Sequence, residues 1–106
     1  MKFIIQPTGI DLTNAIEDYI TDKFSSFERF FEGEEALDMR VEVGKPSAHH
    51  QKGQVFYAEA NFKVPGKMFR AEDTDYDLFV AIDKVRKILE RQVTEYKQKL
   101  VDTRKH

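Results

Sequence analysis

Cysteine is absent from all 106 residues, so no disulfide, thiol nucleophile, thiolate zinc site or Cys-ligated iron–sulfur cluster can form. Redox and structural-zinc functions fall away with it. Proline and glycine are sparse, three and five residues respectively, and neither a flexible linker nor an internal repeat divides the chain. Hydrophobic runs are short, and nothing approaches the ~18 consecutive apolar residues of a membrane span. The opening Met1-Lys2-Phe3-Ile4-Ile5-Gln6-Pro7 loses its apolar character after three residues, which is not the pattern of a secretory signal and points to the cytoplasm. Catalytic motifs are missing too. There is no Gly-rich phosphate loop, no Gly-x-Ser-x-Gly elbow, and no histidine set beside a nucleophile by a recognisable motif. The chain is expected not to be an enzyme and to need no cofactor, metal or small-molecule substrate.

What is present is a folded domain's complement of apolar side chains, 41% of residues with nine phenylalanines, too many for a disordered chain. The length suits one domain over 1–106. The formal charge of -2 conceals an asymmetry: residues 1–83 carry nine basic and sixteen acidic side chains, a balance of -7, and residues 84–106 carry eight and three, a balance of +5. Such a division points either to a local polyanion-binding surface or to attraction between the two segments.

Phe3-Ile4-Ile5, closed by Pro7-Thr8-Gly9, reads as a first strand. Asp11 or Thr13 is then placed to cap a helix by a simple rather than reciprocal cap. Leu12, Ala15, Ile16, Tyr19, Ile20, Phe24, Phe27 and Phe31 recur at three- and four-residue steps, predicting a helix of about 20 residues with one apolar stripe. After Glu32-Gly33-Glu34-Glu35 the period becomes two. Leu37, Met39, Val41 and Val43 alternate with polar residues, and after a polar loop from Gly44 to Gly53 so do Phe56, Ala58, Ala60, Phe62 and Val64, giving two half-buried strands. Pro65-Gly66 suits a type II turn into a fourth strand, Lys67 to Glu72. Asp73-Thr74-Asp75 supplies caps for a second helix, in which Leu78, Ile82, Val85, Leu89, Val93, Tyr96 and Leu100 fall at helical spacing for about 25 residues. The expected fold is α+β, β-α-β-β-β-α: a four-stranded mixed sheet with two long helices packed on one face and a short polar tail at 101–106. The first two strands, joined through a helix, should pair in parallel with a right-handed crossover.

On a helical wheel Lys84, Lys87 and Arg91 share the side of the second helix opposite its apolar stripe, with Arg86 and Lys97 flanking them. A row of cations about one turn apart on a rigid helix can follow successive phosphates and release their counterions. The plainer account is a solvated helix face, with Glu90 and Glu95 offering Lys87 and Arg91 local partners. The first helix carries Glu17, Asp18, Asp22 and Glu28 outward, so only Lys23 and Arg29 in its last turns can approach a phosphate, and Lys23 can instead snorkel along the apolar stripe. Lys45, His49, His50 and Lys52 form a basic loop group that gains charge on acidification, but adjacent loop histidines lack the spacing of a metal site. Tyr57 and Val55 face away from the helices, where cross-strand packing is a simpler account than a base-stacking platform. Asp73, Asp75 and Asp77 lack the glycine and distal Glu of a calcium loop and read as helix caps.

Several segments carry more than periodicity. Pro65-Gly66-Lys67-Met68-Phe69-Arg70-Ala71-Glu72, Asp77-Leu78-Phe79-Val80-Ala81-Ile82-Asp83, Leu89-Glu90-Arg91-Gln92-Val93 and Tyr96-Lys97-Gln98-Lys99, together with Lys23-Phe24 and Phe27-Glu28-Arg29-Phe30-Phe31, closely resemble the ribosome hibernation promoting factor family, which includes the ribosome-associated inhibitor. The resemblance spans nearly the whole chain. It implies a cytoplasmic protein, monomeric by expectation, that binds small-subunit ribosomal RNA in the mRNA and tRNA channel near the decoding centre. There it inhibits translation reversibly under stress, by occupancy. Carried across by position, the RNA contacts implied are Lys84, Lys87, Arg91, Arg86, Lys97, Lys23 and Arg29. The family often has lysine where this chain has Ser26 and Ile88, and basic residues around Thr94 and Glu95, so the resemblance implies fewer cations and a more salt-sensitive affinity. It also implies a short form, without the linker and second domain of long members. The competing reading is a protein–protein regulatory module, a homodimer or partner-binding domain using the acidic first helix or a sheet edge, without ribosome binding.

Overall fold

The computed structural model of the chain describes residues 1–46 and 55–104. The elements are β1 (Lys2–Thr8), α1 (Asn14–Phe24), a 3-10 segment (Ser25–Phe31), β2 (Asp38–Gly44), β3 (Phe56–Val64), β4 (Lys67–Asp75) and α2 (Leu78–Arg104). The sheet runs β1-β2-β3-β4, with β1 and β2 parallel and the remaining pairs antiparallel. This is the expected α+β architecture. The Pro65-Gly66 turn joins β3 to β4 with Gly66 at φ 80°, the left-handed value that the third position of a type II turn requires.

Alternation in β2, β3 and β4 sorts their side chains as the two-residue period demands. Met39, Val41, Val43, Ala58, Ala60, Phe62, Val64, Phe69 and Ala71 are buried beneath the helices. Among the described residues nothing covers the opposite face, which is polar. There Tyr57 donates its hydroxyl to Glu42, Asn61 donates to Glu59 at 2.9 Å, and Arg70 bridges Glu59 at 2.9 Å and Glu72 at 3.6 Å. Burial and the Glu42 hydrogen bond push the Tyr57 phenol up. This ring is engaged in cross-strand contacts among carboxylates, the simpler of its two sequence readings.

α2 lies over β3 and β4, where the small Ala58, Ala60 and Ala71 leave room for Ile82, Val85, Leu89 and Val93, all fully buried. α1 packs against α2.

The structure departs from expectation in three places. The first helix is α-helical only over Asn14–Phe24 and tightens into the 3-10 segment at Ser25. Serine competes for backbone hydrogen bonds and weakens an α-helix interior. The three-residue turn that replaces it stacks Phe24 on Phe27 and sets Phe30 against Phe27 at a tilt, with ring centroids 5.9 and 5.6 Å apart, as eclipsed i, i+3 positions allow. The apolar stripe is correspondingly narrow: Ile20, Phe24 and Phe27 are buried, and Ala15 is exposed. Thr13, not Asp11, is the cap, accepting from the Ile16 N–H at 3.2 Å.

Second, β4 continues to Asp75, so Asp73-Thr74-Asp75 does not cap α2. Asp77 does, accepting from the Phe79 N–H at 2.9 Å. Third, residues 101–104 of the expected tail prolong α2, which ends at Arg104. Among the described residues no helix is long and apolar enough to cross a membrane.

Candidate nucleic-acid interface

The seven cations singled out in the sequence divide into two groups on the two flanks of α2. Lys84, Lys87 and Arg91 fall within about 60° of the helix circumference, each residue adding about 100°. All three are exposed. Lys84 is tied down: its ammonium lies 2.9 Å from Asp75 Oδ2 and donates to the Thr74 carbonyl at 3.2 Å. The hydrogen bond to Asp75 pushes Lys84 up. Asp75 in turn is held down first by the Asp77 backbone N–H and then by Lys84. One flank along, Gln92 donates to the Arg70 carbonyl at 2.9 Å. Two side chains of α2 therefore take carbonyls of β4, one of the two edge strands, and fix the row relative to the sheet. Lys87 and Arg91 have no carboxylate within 4 Å among the described residues.

The second group lines the seam between α2 and the first helical stretch. Arg86 pairs with Glu90 at 3.5 Å and shares a hollow with Arg29, Ser26 and Phe30. Lys97 donates to the Phe30 carbonyl and lies 5.2 Å from the Phe31 ring centroid. Lys23 is half-buried, 3.7 Å from Asp83 Oδ1 and 5.1 Å from the Tyr19 ring centroid, so it follows the snorkelling alternative. Tyr19 donates to the same Asp83 oxygen at 2.7 Å. That bond, with smaller contributions from burial and nearby carboxylates, raises the Tyr19 phenol to about 12. Arg29 is exposed.

The local partners expected from spacing are only partly realised. Glu90 turns to Arg86 rather than to Lys87, and Glu95 is exposed beside Arg91. The acids that hold Lys84 and Lys23, Asp75 and Asp83, were not singled out as partners from the sequence. Lys84 lies nine residues from its partner across a strand–helix junction and Lys23 lies sixty from its own, beyond any local spacing rule. His49, His50 and Lys52 of the basic loop group lie outside the described residues, whereas Lys45 sits 5.7 Å from the Phe56 ring centroid. Among the described residues no cluster of three or more His, Asp or Glu is gathered to hold a metal ion.

Comparison with known proteins converges on one family. The family described as Sigma 54 modulation protein / S30EA ribosomal protein matches residues 3–101. A ribosome hibernation promoting factor of Klebsiella oxytoca is 31% identical over 100 residues, which cover 94% of this chain and 97% of that protein. A ribosome hibernation promotion factor of Lactococcus lactis is 29% identical over 100 residues, 94% of this chain and 51% of that protein. The chain thus spans about half the length of some curated relatives it matches and nearly all of another. Among solved structures, the N-terminal domain of Thermus thermophilus Protein Y aligns with a TM-score of 0.73 at 31% identity, covering 91% of this chain and 99% of that one.

Proposed function

The chain belongs to the sigma 54 modulation protein / S30EA ribosomal protein family, and from that premise we propose that it is a ribosome hibernation factor. It binds small-subunit ribosomal RNA in the mRNA and tRNA channel near the decoding centre and inhibits translation reversibly, as a cytoplasmic monomer. It acts by occupancy, without catalysis or cofactor. The observation that carries the reading is the row Lys84, Lys87 and Arg91 along one face of a 27-residue helix, in a chain that is otherwise acidic. Phosphates neutralised by such a row release condensed counterions, the dominant source of sequence-independent RNA affinity. The uncovered sheet face is a poor competitor, because Glu42, Glu59 and Glu72 line it.

The test is co-sedimentation with purified small ribosomal subunits. Wild type should pellet saturably near one copy per subunit and be released by salt. The variant Lys84→Glu/Lys87→Glu/Arg91→Glu should lose at least about a hundredfold in affinity. Lys87→Glu/Arg91→Glu, which leaves the Lys84 to Asp75 pair intact, guards against a folding artefact. Pelleting of both variants like wild type would remove the row from the interface.

A further inference from the structure

Six large apolar side chains are exposed among the described residues, and three of them, Tyr76, Phe79 and Val80, fall within five positions at the start of α2. Tyr76 is the extreme case, 74% exposed. It occupies the bend between β4 and the capping Asp77, where an apolar residue ordinarily staples itself to the first helical turn. Here most of the ring stands in water instead. Among the described residues it pairs with no other aromatic ring, whereas Phe79 packs edge-on against Tyr19 at 4.9 Å.

Tyr76 is flanked in sequence by Asp75 and Asp77, and the cations on its side of the fold lie in one direction, along α2. The Lys84 ammonium contacts Thr74 and Asp75, the two residues that immediately precede the tyrosine, and Val80, Lys84, Lys87 and Arg91 follow one another along a single strip of α2. The acids beside the ring are already occupied. Asp77 caps the helix N-terminus, where the macrodipole favours its charge, and Asp75 holds both the Asp77 N–H and Lys84.

We infer that Tyr76, backed by Val80, is a stacking platform for an unpaired RNA base whose phosphate runs onto the Lys84, Lys87 and Arg91 row. A flat π-face beside a line of cations is the combination that recognises single-stranded nucleic acid. A base within a duplex has both faces covered by its neighbours, so the ring selects a splayed or terminal nucleotide. This inference rests on the RNA-binding reading and deepens it.

The experiment measures affinity for small ribosomal subunits at two salt concentrations for wild type, Tyr76→Ala, Tyr76→Phe and Lys87→Glu/Arg91→Glu. Loss of one stack should weaken Tyr76→Ala by about tenfold with an unchanged salt slope. Tyr76→Phe should retain wild-type affinity, and the double variant should lose affinity and slope together. A photoreactive benzophenone amino acid at position 76 should crosslink to RNA. Wild-type affinity in Tyr76→Ala, or crosslinking to a ribosomal protein, would overturn the platform while leaving the cation row standing. Failure of wild type to bind subunits at all would overturn both readings.

Discussion

Replacing Asp75 with asparagine should strengthen RNA binding at low salt and make it more salt-sensitive. The magnitude follows from which cations have an internal partner. Of the seven candidates, Lys84, Arg86 and Lys23 face carboxylates at 2.9, 3.5 and 3.7 Å, and Lys97 donates to a backbone carbonyl. A cation that leaves its carboxylate for a phosphate bares that carboxylate, so the exchange releases little net counterion. Counting only Arg29, Lys87, Arg91 and Lys97, whose carbonyl partner carries no charge, at about 0.7 to 0.9 each, gives a slope of log affinity on log salt of roughly -3 to -4, against roughly -5 to -6 for all seven. Between about 50 and 200 mM salt wild type then loses about 50- to 150-fold in affinity. Asp75→Asn frees Lys84 while its amide oxygen still accepts the Asp77 N–H, bonded at 3.0 Å in the wild type. The slope steepens by about one contact and the loss grows to about 130- to 500-fold. Co-sedimentation with small ribosomal subunits across four salt concentrations reads both slopes, with urea unfolding as the control for fold. A wild-type slope near -5, or identical slopes for the two proteins, would refute the idea that pairing within the free protein subtracts from its phosphate contacts.

Phe62 is fully buried and touches the rings of Phe27, Phe31 and Phe69, so Phe62→Ala should cost about 3–5 kcal/mol in urea unfolding. A loss under about 1 kcal/mol would mean that the aromatic cluster closes over the cavity. Tyr19 should ionise near 12 rather than its usual 10.0, read as tyrosinate absorbance, and Asp83→Asn should bring it back down. Because the folded value is the raised one, this contribution to stability is complete below about pH 10 and is lost as pH climbs through 12. Ionisation of all four tyrosines by pH 11 would contradict the Asp83 hydrogen bond. Gly44→Ala would put a Cβ 2.0 Å from the Thr8 carbonyl, where β1 and β2 end in register. It should destabilise by about 1–3 kcal/mol or more, and an unchanged melting temperature would show that the end of β1 moves freely.

The strands and α2 were legible in the sequence because burial on one face writes a period of 2 or 3.6 directly into side-chain polarity. Met39, Val41 and Val43 have no other reason to alternate with Asp38, Arg40 and Glu42. The length of α1 was not legible for a matching reason: phenylalanine stands at 24, 27, 30 and 31, so Phe24, Phe27 and Phe30 satisfy a period of 3.0 while Phe24, Phe27 and Phe31 satisfy one of 3.6. What distinguishes them is the packing of Phe27 and Phe31 on Phe62, a contact across some thirty-five residues. The cap of α2, though not its start at Leu78, was misplaced because three aspartates, 73, 75 and 77, offer equivalent caps. The sheet chooses among them by pairing Asp73 with Ala58 and Asp75 with Phe56.

The candidate interface divides the same way. Spacing gives the face on which Lys84, Lys87 and Arg91 lie, since it depends only on helical geometry, but it cannot give their free charge, which depends on what the fold brings to each ammonium. Glu90 stands at a permitted spacing from both Arg86 and Lys87 and turns to Arg86. Asp75 reaches Lys84 only because β4 runs past Glu72 and carries it there. That pairing removes a charge from the row and supplies rigidity in exchange. With Lys84 on Thr74 and Gln92 on Arg70, α2 is fastened to the sheet at two points about two turns apart, on either side of Lys87 and Arg91 along the chain or next to them. Two free cations whose helix is already fixed lose less freedom on meeting phosphates than three on a helix that must still settle. The chain's modest charge is therefore best used while these two fastenings hold, and Asp75→Asn leaves both carbonyl contacts in place, so it adds counterion release without unfastening the row.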